Sequence, residues 1–307
     1  MSNINITVSI FMLTYNQEEF IEQTIESILI QRTNFDFQIV IGEDYSTDRT
    51  RDICTKYASE HGKKIKLLPC LSKNIGLIAN YMRTIAECDG KYIAICDGDD
   101  YWIDSYKLQK QVDFLEKNPD YSIVYTALKK LYDDGKIVDY TYSLKKNKLD
   151  FNDLIFNNFI HSVTAMFRNF QSNGIILPSW INKFPFGDWQ TYLWVLRDGS
   201  KIHFMADITA IYRMNIGVSS NYMRKNSAFI QLLLSVLKEV DTDKEFINKK
   251  EIITLSIINK KRELMLSLNQ EKAYLNAYKI FILLLKTTTE KLPLTKLYFY
   301  SVYKSFC

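Results

Sequence analysis

What most limits the fold open to this chain is a strand pattern and a helix pattern that take turns through its first half. "ITVSIFML" is β-branched and almost wholly apolar, as a strand covered on both faces should be, and the "EEFIEQTIESILIQ" that follows sets Phe20, Ile21, Ile25, Ile28 and Leu29 at helical spacing. The alternation recurs as "FQIVIG" then "TDRTRDICTKYASEHG", "KIKLLP" then "IGLIANYMRTIAECDG", and "KYIAIC" then "SYKLQKQVDFLEKNP". "YSIVYTAL" reads as a fifth strand, and the Asp-Gly of "LYDDGKIVDY" predicts a hairpin. Repeated units of this kind predict an α/β fold, a mostly parallel central sheet with helices on both faces.

Ligands of open α/β sheets bind beyond the carboxyl ends of the strands, so function is read from the residues just after each strand. These are Thr14, Tyr15 and Asn16 after the first, Glu43, Asp44 and Tyr45 after the second, Asn74 and Gly76 after the third, and Asp97, Gly98, Asp99 and Asp100 after the fourth. The last group, "CDGDDYW", is the most specific. Carboxylates this close raise one another's pKa unless a cation sits between them. Mg²⁺ and similar hard ions take one or two carboxylates and fill the remaining positions with water and substrate phosphates. Asp97, Asp99 and Asp100 are therefore candidate ligands of Mn²⁺ or Mg²⁺. The plainer alternative is a turn that caps the next helix, a task Asp104 could perform alone.

Composition narrows the class. At 307 residues and 47% hydrophobic, the chain can bury a large core. Its five cysteines are scattered, with no C-x-x-C pair, which argues against a disulfide framework or a zinc site and fits a reducing cytoplasm. The start carries no basic, apolar leader pattern, and no stretch reaches the ~18 apolar residues needed to span a bilayer. Neither G-x-x-x-x-G-K-[ST] nor G-x-G-x-x-G occurs, which argues against a P-loop or nicotinamide enzyme.

"VSIFMLTYNQEEFIEQTIESIL", "IVIGEDYSTDRTRDIC" and "NIGLIANYMRTIAECDGKYIAICDGDDYW" together resemble the nucleotide-sugar-binding half of family 2 glycosyltransferases of the GT-A fold, over roughly residues 4 to 127. The resemblance implies that Tyr15 stacks on the nucleobase, that Asp44 accepts a hydrogen bond from it, and that Asp97 and Asp99 lie at the ribose and the metal. A carboxylate facing N3–H implies a pyrimidine donor, a UDP-sugar first and a dTDP-sugar second. In the second half, "FPFGDWQTYLWVLRDG" resembles the segment that presents the catalytic base at a helix start, here Asp188, and implies an inverting transfer. The dipole of that helix should hold Asp188 ionised. "AIYRMNIGVSS" resembles the loop that closes over the diphosphate, where a His is common two residues after the Arg; Asn215 stands there, which leaves Arg213 as the phosphate contact. Of the histidines, His61 and His203 read as structural, and His161 lies where such enzymes line the acceptor side. Cys96 reads as a small buried residue at a strand end.

These readings divide the chain into a GT-A catalytic domain, 1–218, with a nucleotide-sugar-binding half (1–127) and an acceptor half (128–218), and a helical region, 219–307. The latter carries 15 Lys and Arg against 8 Asp and Glu, a net +7, whereas residues 1–218 carry a net −3. "FIQLLLSVLKEV", "EIITLSIINKKRELMLSL" and "KAYLNAYKIFILLLK" predict amphipathic helices that either pack on the catalytic domain or pair in a homodimer, and the tail interleaves Lys with Tyr, Phe and Leu. Such a tail suits an anionic membrane surface at the inner face of the plasma membrane, where a glycan or lipid-linked acceptor would be met. The diffuse charge and the lack of a recognition motif argue against nucleic acid. Two other functions stay open: a nucleotide-sugar-binding module without turnover, and an Asp-nucleophile phosphatase, whose motif has Thr where Tyr101 stands.

Overall fold

Seven consecutive buried residues, Val8–Thr14, form β1, the spine of a ten-stranded sheet. The structure, a computed structural model, describes residues 6–140, 142, 149–216, 226–287 and 289–306. β2 (Phe37–Glu43) and β4 (Tyr92–Ile95) flank β1 in parallel, and β3 (Ile65–Leu67) extends the sheet beyond β2. The connections are α1 (Ile21–Leu29), α2 (Thr50–Glu60) and α3 (Leu77–Ile85). Side chains alternate along β1 and so sort its faces. Val8, Ile10 and Met12 join a core with Ile25 and Ile28 of α1 and Tyr57 of α2, while Phe11 meets Tyr81 of α3, ring centroids 4.8 Å apart. Helices thus cover both faces, which is why β1 has no polar side.

The α/β class is borne out, and the sheet as a whole is mixed. β9 (Met166–Arg168) inserts antiparallel between β4 and β6 (Tyr121–Leu131). Three residues are too few for a period-two pattern to register, so this strand leaves no mark in the sequence. β10 (Lys201–Arg213) runs parallel to β6; β5 (Tyr101–Trp102) and β8 (Leu149–Asp150) pair antiparallel with its two ends. The predicted hairpin forms between β6 and β7 (Ile137–Tyr140), with Gly135 at φ 80°, a conformation that only glycine adopts without strain. α4 (Lys107–Lys117), α5 (Phe151–Leu154) and α6 (Asp188–Val195) complete this part.

By contact density the chain divides into two compact units, Met1–Leu154 with Asn158–Ile216, and Gly217–Cys307 with Ile155–Asn157. The domain boundary expected after residue 218, the far end of the "AIYRMNIGVSS" loop and Cys307 lie outside the described residues. The second unit holds α7 (Asn226–Thr242), α8 (Lys250–Gln270), α9 (Tyr274–Thr287) and α10 (Lys291–Lys304). Its core joins Ile230 and Leu234 of α7, Leu264, Met265 and Leu268 of α8, Phe281 and Leu284 of α9, and Leu294 and Tyr298 of α10. The Ser256 hydroxyl of α8 donates to the Ile155 carbonyl, and Lys260 to Asn157, which ties the short inserted segment into this unit. The tail beyond "KAYLNAYKIFILLLK" is itself a helix, with Pro293 in the first turn, where its missing N–H costs nothing. Among the described residues no helix is long and apolar enough to cross a membrane.

Candidate active site

The carboxyl ends of β1, β2 and β4, adjacent in the sheet, bring Thr14 to Asn16, Glu43 to Tyr45 and Asp97 to Asp100 to one edge. The loops after β1 and β2 are zipped together. Asn16 N–H donates to Ser46 Oγ (3.0 Å), Thr47 N–H to Asn16 Oδ1 (2.8 Å), Gln17 N–H to Thr50 Oγ1 (2.8 Å) and Glu18 N–H to Asp48 Oδ2 (3.1 Å). This fixed frame leaves two rings facing solvent, Tyr15 at 44% exposure and Tyr45 at 43%. Tyr45 has φ 59° and its neighbour across the zipper, Asn16, φ 51°. A left-handed backbone is costly for a bulky residue and tends to persist at functional sites. The sequence places Tyr45 among the strand-end residues but assigns it no role; its position as a ring directly after the acidic pair was the available signal.

The acidic pair itself is turned inward. Asp44, expected to face a base, accepts the Ile75 amide on Oδ1 and the Gly76 amide on Oδ2, both at 2.9 Å, while Asn74 donates to the Asp44 carbonyl (3.0 Å). Asp44 therefore pins the Asn74–Gly76 turn to the end of β2, and both its oxygens have protein partners. Glu43, fully buried, accepts the Ser46 amide and lies 3.6 Å from Arg51.

The loop after β4 is held from three sides. Gly98 N–H donates to the Leu13 carbonyl (2.9 Å), Thr24 Oγ1 of α1 donates to the Gly98 and Asp100 carbonyls (3.0 and 2.7 Å), and Arg213 at the end of β10 donates to the Asp99 carbonyl. A Cβ on Gly98 would stand 2.5 Å from Gln17 Oε1 and 2.8 Å from Thr14 Oγ1, so any side chain there would have to displace Gln17 and Thr14. Asp100 is fully committed inward: it is 2% exposed and its Oδ1 accepts the Arg213 amide (2.9 Å). Of the three carboxylates expected at a metal, the structure leaves Asp97 and Asp99 half-buried at the surface of the loop. Burial, and then the charge of Asp99, push the Asp97 carboxyl up to about 7. Burial also raises Asp99, against the pull of its own amide and of the Arg213 charge.

Asp188 opens α6 behind Gly187, and its Oδ2 accepts from Asn158 Nδ2 (2.8 Å). The expectation that the helix start holds it ionised meets a larger opposing effect: burial raises this carboxyl, with the Trp189 amide and Asn158 pulling it back. The charges of Asp97 and Asp188 act on each other, and both act on the buried phenols of Tyr81 and Tyr192, which gathers the four into one cluster. The position of Asp188 is fixed by packing. Tyr81 donates to Thr191 Oγ1 (2.9 Å), and its ring leaves a Cβ on Gly187 only 2.8 Å. Gly187→Ala is therefore expected to cost about 1–3 kcal/mol. Urea unfolding beside Gly187→Ala with Tyr81→Leu checks it: the second change should recover part of the loss, and an unaltered midpoint for the single variant would refute the clash.

Arg213, expected at a phosphate, is clasped by the protein. Nη1 donates to the Asp99 carbonyl and Nη2 to Gln23 Oε1, and the guanidinium carbon lies 4.7 Å from the Phe20 ring centre and 4.8 Å from that of Tyr101. Its visible work is to hold the acidic loop in place. His161 is wrapped by Tyr140, Tyr142 and Tyr212, its Nδ1 is 3.0 Å from the Tyr142 hydroxyl, and burial pushes it down to about 4. Ser162, beside it, reaches Asp97 Oδ2 at 3.4 Å. His61 ends α2, and His203 stacks on Phe114 at 3.8 Å, as structural histidines do.

Among the described residues no three His, Cys, Asp or Glu side chains gather into a metal cage. Two carboxylates suffice, however, for an ion whose shell is completed by phosphate. Buried polar atoms are as a rule paired. Here Thr14 Oγ1, Gln17 Oε1, Asp97 Oδ1 and the Tyr192 hydroxyl are buried without partners. These unpaired atoms, with carboxyls raised by burial, fit a site built to receive a cation and a polar ligand.

The sequence matches the family described as glycosyl transferase family 2 over residues 9–173. Rv1520 of Mycobacterium tuberculosis, an uncharacterized protein, is 34% identical over 67% of this chain, which spans 58% of that relative's length. TuaG of Bacillus subtilis, whose name places it in teichuronic acid biosynthesis, is 30% identical over 72% of this chain and 84% of its own. Among solved structures, Staphylococcus aureus TarS in complex with UDP-GlcNAc superposes with TM-score 0.59 at 17% identity, covering 98% of this chain and 80% of that one. A Pyrobaculum calidifontis mannosyltransferase in complex with GDP-Man and Mn²⁺ gives 0.60 at 16%, with coverage of 98% and 80%. At such identities these likenesses speak for the fold, which is GT-A.

Proposed function

The chain belongs to glycosyl transferase family 2, and from that premise we propose that it is an inverting transferase that moves a sugar from a nucleoside diphosphate donor to a hydroxyl of a glycan or lipid-linked saccharide in surface polysaccharide synthesis. The observation that carries the reading is the pairing at one sheet edge of a half-buried Asp97 and Asp99 with unpaired buried polar atoms, in the same cluster as Asp188 at a helix start. Tyr15 and Tyr45 grip the nucleobase by stacking, and Asp44 and Arg213 act by holding the loops that surround it. Asp99, with Asp97, would hold Mn²⁺ or Mg²⁺ against the diphosphate, where the ion would neutralise charge on the leaving group. Asp188 accepts the proton of the acceptor hydroxyl as that oxygen attacks the anomeric carbon, and its raised pKa makes it a better base than an exposed carboxylate. A single displacement inverts the anomeric centre. With both Asp44 oxygens turned to the Asn74–Gly76 turn, the order of donors leans on the relatives: a UDP-sugar, as in the TarS complex, stands first and a dTDP-sugar second. RfbG of Shigella flexneri, named a dTDP-rhamnosyl transferase, is 36% identical over 35% of this chain. The enzyme acts in the cytoplasm at the inner membrane face.

Thermal shift with UDP, dTDP, GDP and CMP, each with and without Mn²⁺, tests this directly, since a ligand at 100 times its Kd stabilises by about 2.7 kcal/mol. UDP with metal should shift the melt most. Stabilisation by none of the four would overturn the reading, and binding without donor turnover would leave a non-catalytic module. Tyr15→Ala and Tyr45→Ala should each weaken UDP by about 1–3 kcal/mol if both rings stack on the base. Calorimetry showing wild-type affinity for Tyr45→Ala would remove that ring from the site.

A further inference from the structure

The α9 and α10 helices of the second unit are apolar on the wrong side. α10 buries Leu294, Tyr298 and Ser301 against the core, yet its opposite face shows Leu292, Phe299, Tyr300, Tyr303 and Phe306, each at least 60% exposed. Leu292, Lys296, Phe299, Tyr303 and Phe306 follow one another at spacings of four and three, a continuous stripe along the helix. α9 adds exposed Leu275, Tyr278 and Leu283. An exposed apolar stripe running the length of α10 marks an interaction site.

The charges around the patch say what kind. Lys279 and Lys286 lie on α9, and Lys291, Lys296 and Lys304 on α10. Among the described residues none of these five forms an ion pair, and the acid between the helices, Glu290, is already matched with Arg262 at 3.3 Å. A second copy of the same face would set lysine against lysine. An anionic lipid surface removes that conflict: aromatic and aliphatic side chains enter the headgroup boundary while lysine stems lie along it and their ammonium groups meet lipid phosphates. We propose that the outward face of α10 docks the protein on an anionic bilayer. The surface adds a place of action to the proposed reaction, and catalysis does not enter its test.

The test is flotation of the full chain with vesicles of phosphatidylcholine alone or mixed with phosphatidylglycerol. The wild-type chain should float with the mixed vesicles only, and less so as salt rises. Phe299→Asp with Tyr303→Asp, and separately Lys291→Glu with Lys296→Glu and Lys304→Glu, should each reduce flotation by about tenfold or more. All five side chains are exposed, so both variants should keep the wild-type melting temperature and UDP-dependent stabilisation. Failure of the wild-type chain to float would overturn the proposal. So would a concentration-dependent dimer in analytical ultracentrifugation that the same substitutions abolish, since that would assign the face to a second copy.

Discussion

Asp188→Asn is expected to lower kcat by about 10²–10⁴ while nucleotide binding and its dependence on metal stay as in the wild type. The amide keeps the shape of the side chain and an oxygen for Asn158, so α6 and the Tyr81 packing at Gly187 should be undisturbed. What it loses is the ability to accept a proton. Asp99→Asn separates the two roles, because removing a carboxylate from the acidic loop should abolish the metal dependence of UDP binding along with turnover. Steady-state kinetics on both variants, with calorimetry of UDP in the presence and absence of Mn²⁺, distinguishes them. Magnetic resonance of the product linkage should show inversion. A normal kcat for Asp188→Asn would place the base elsewhere, and retention at the anomeric carbon would point to a covalent intermediate instead.

The second large effect is on stability and concerns Asp97. Folding pushes this carboxyl up to about 7 from an ordinary 3.8, through burial and then the charge of Asp99, with Asp188 adding to it. The folded state therefore keeps its proton after the unfolded chain has lost it. The contribution to stability is whole below about pH 4 and is lost as pH rises through about 7; the gap corresponds to up to about 4 kcal/mol. Asp97→Asn does not titrate, and its amide oxygen can still accept from Ser162. The ligand-free variant and wild type should match near pH 4, with the variant ahead by a few kcal/mol at pH 8, a cost the native site bears in order to bind. Urea unfolding between pH 4 and pH 9 measures the difference. Mn²⁺ with UDP should shrink it, since a cation stabilises the ionised form. A difference that does not change with pH would mean that Asp97 is not strained in this way.

The parts of this molecule legible beforehand are those in which a residue's neighbours along the chain decide its state. Runs such as Val8–Thr14 and Phe37–Glu43 are mostly apolar, with no polar face, because helices cover both sides of the sheet, so their strand character and the α/β class were on the surface of the sequence. The order of polar strand ends followed from the same alternation, and the Asp-Gly turn before β7 needed only Gly135. Asn158 and β9 left weaker signals or none, as each is defined by a partner far along the chain.

The carboxylates show the division most clearly. Their placement after β2 and β4 was a matter of sequence; which of them faces outward was not. Asp44 and Asp100 are claimed by the amides of Ile75, Gly76 and Arg213, residues 31 to 113 positions away, while Asp97 and Asp99 keep oxygens for a ligand. The same holds for α10, whose Lys and aromatic residues were plain in the sequence, whereas the choice of Leu294 and Tyr298 for the core and Phe299 and Tyr303 for solvent came from packing on α8 and α9. A sequence fixes local periodicity and the chemical groups at its breaks; only closure of the fold assigns each group a hydrogen-bond partner, a neighbouring charge and a share of water, and those three set whether a carboxylate supports the loop or works in it.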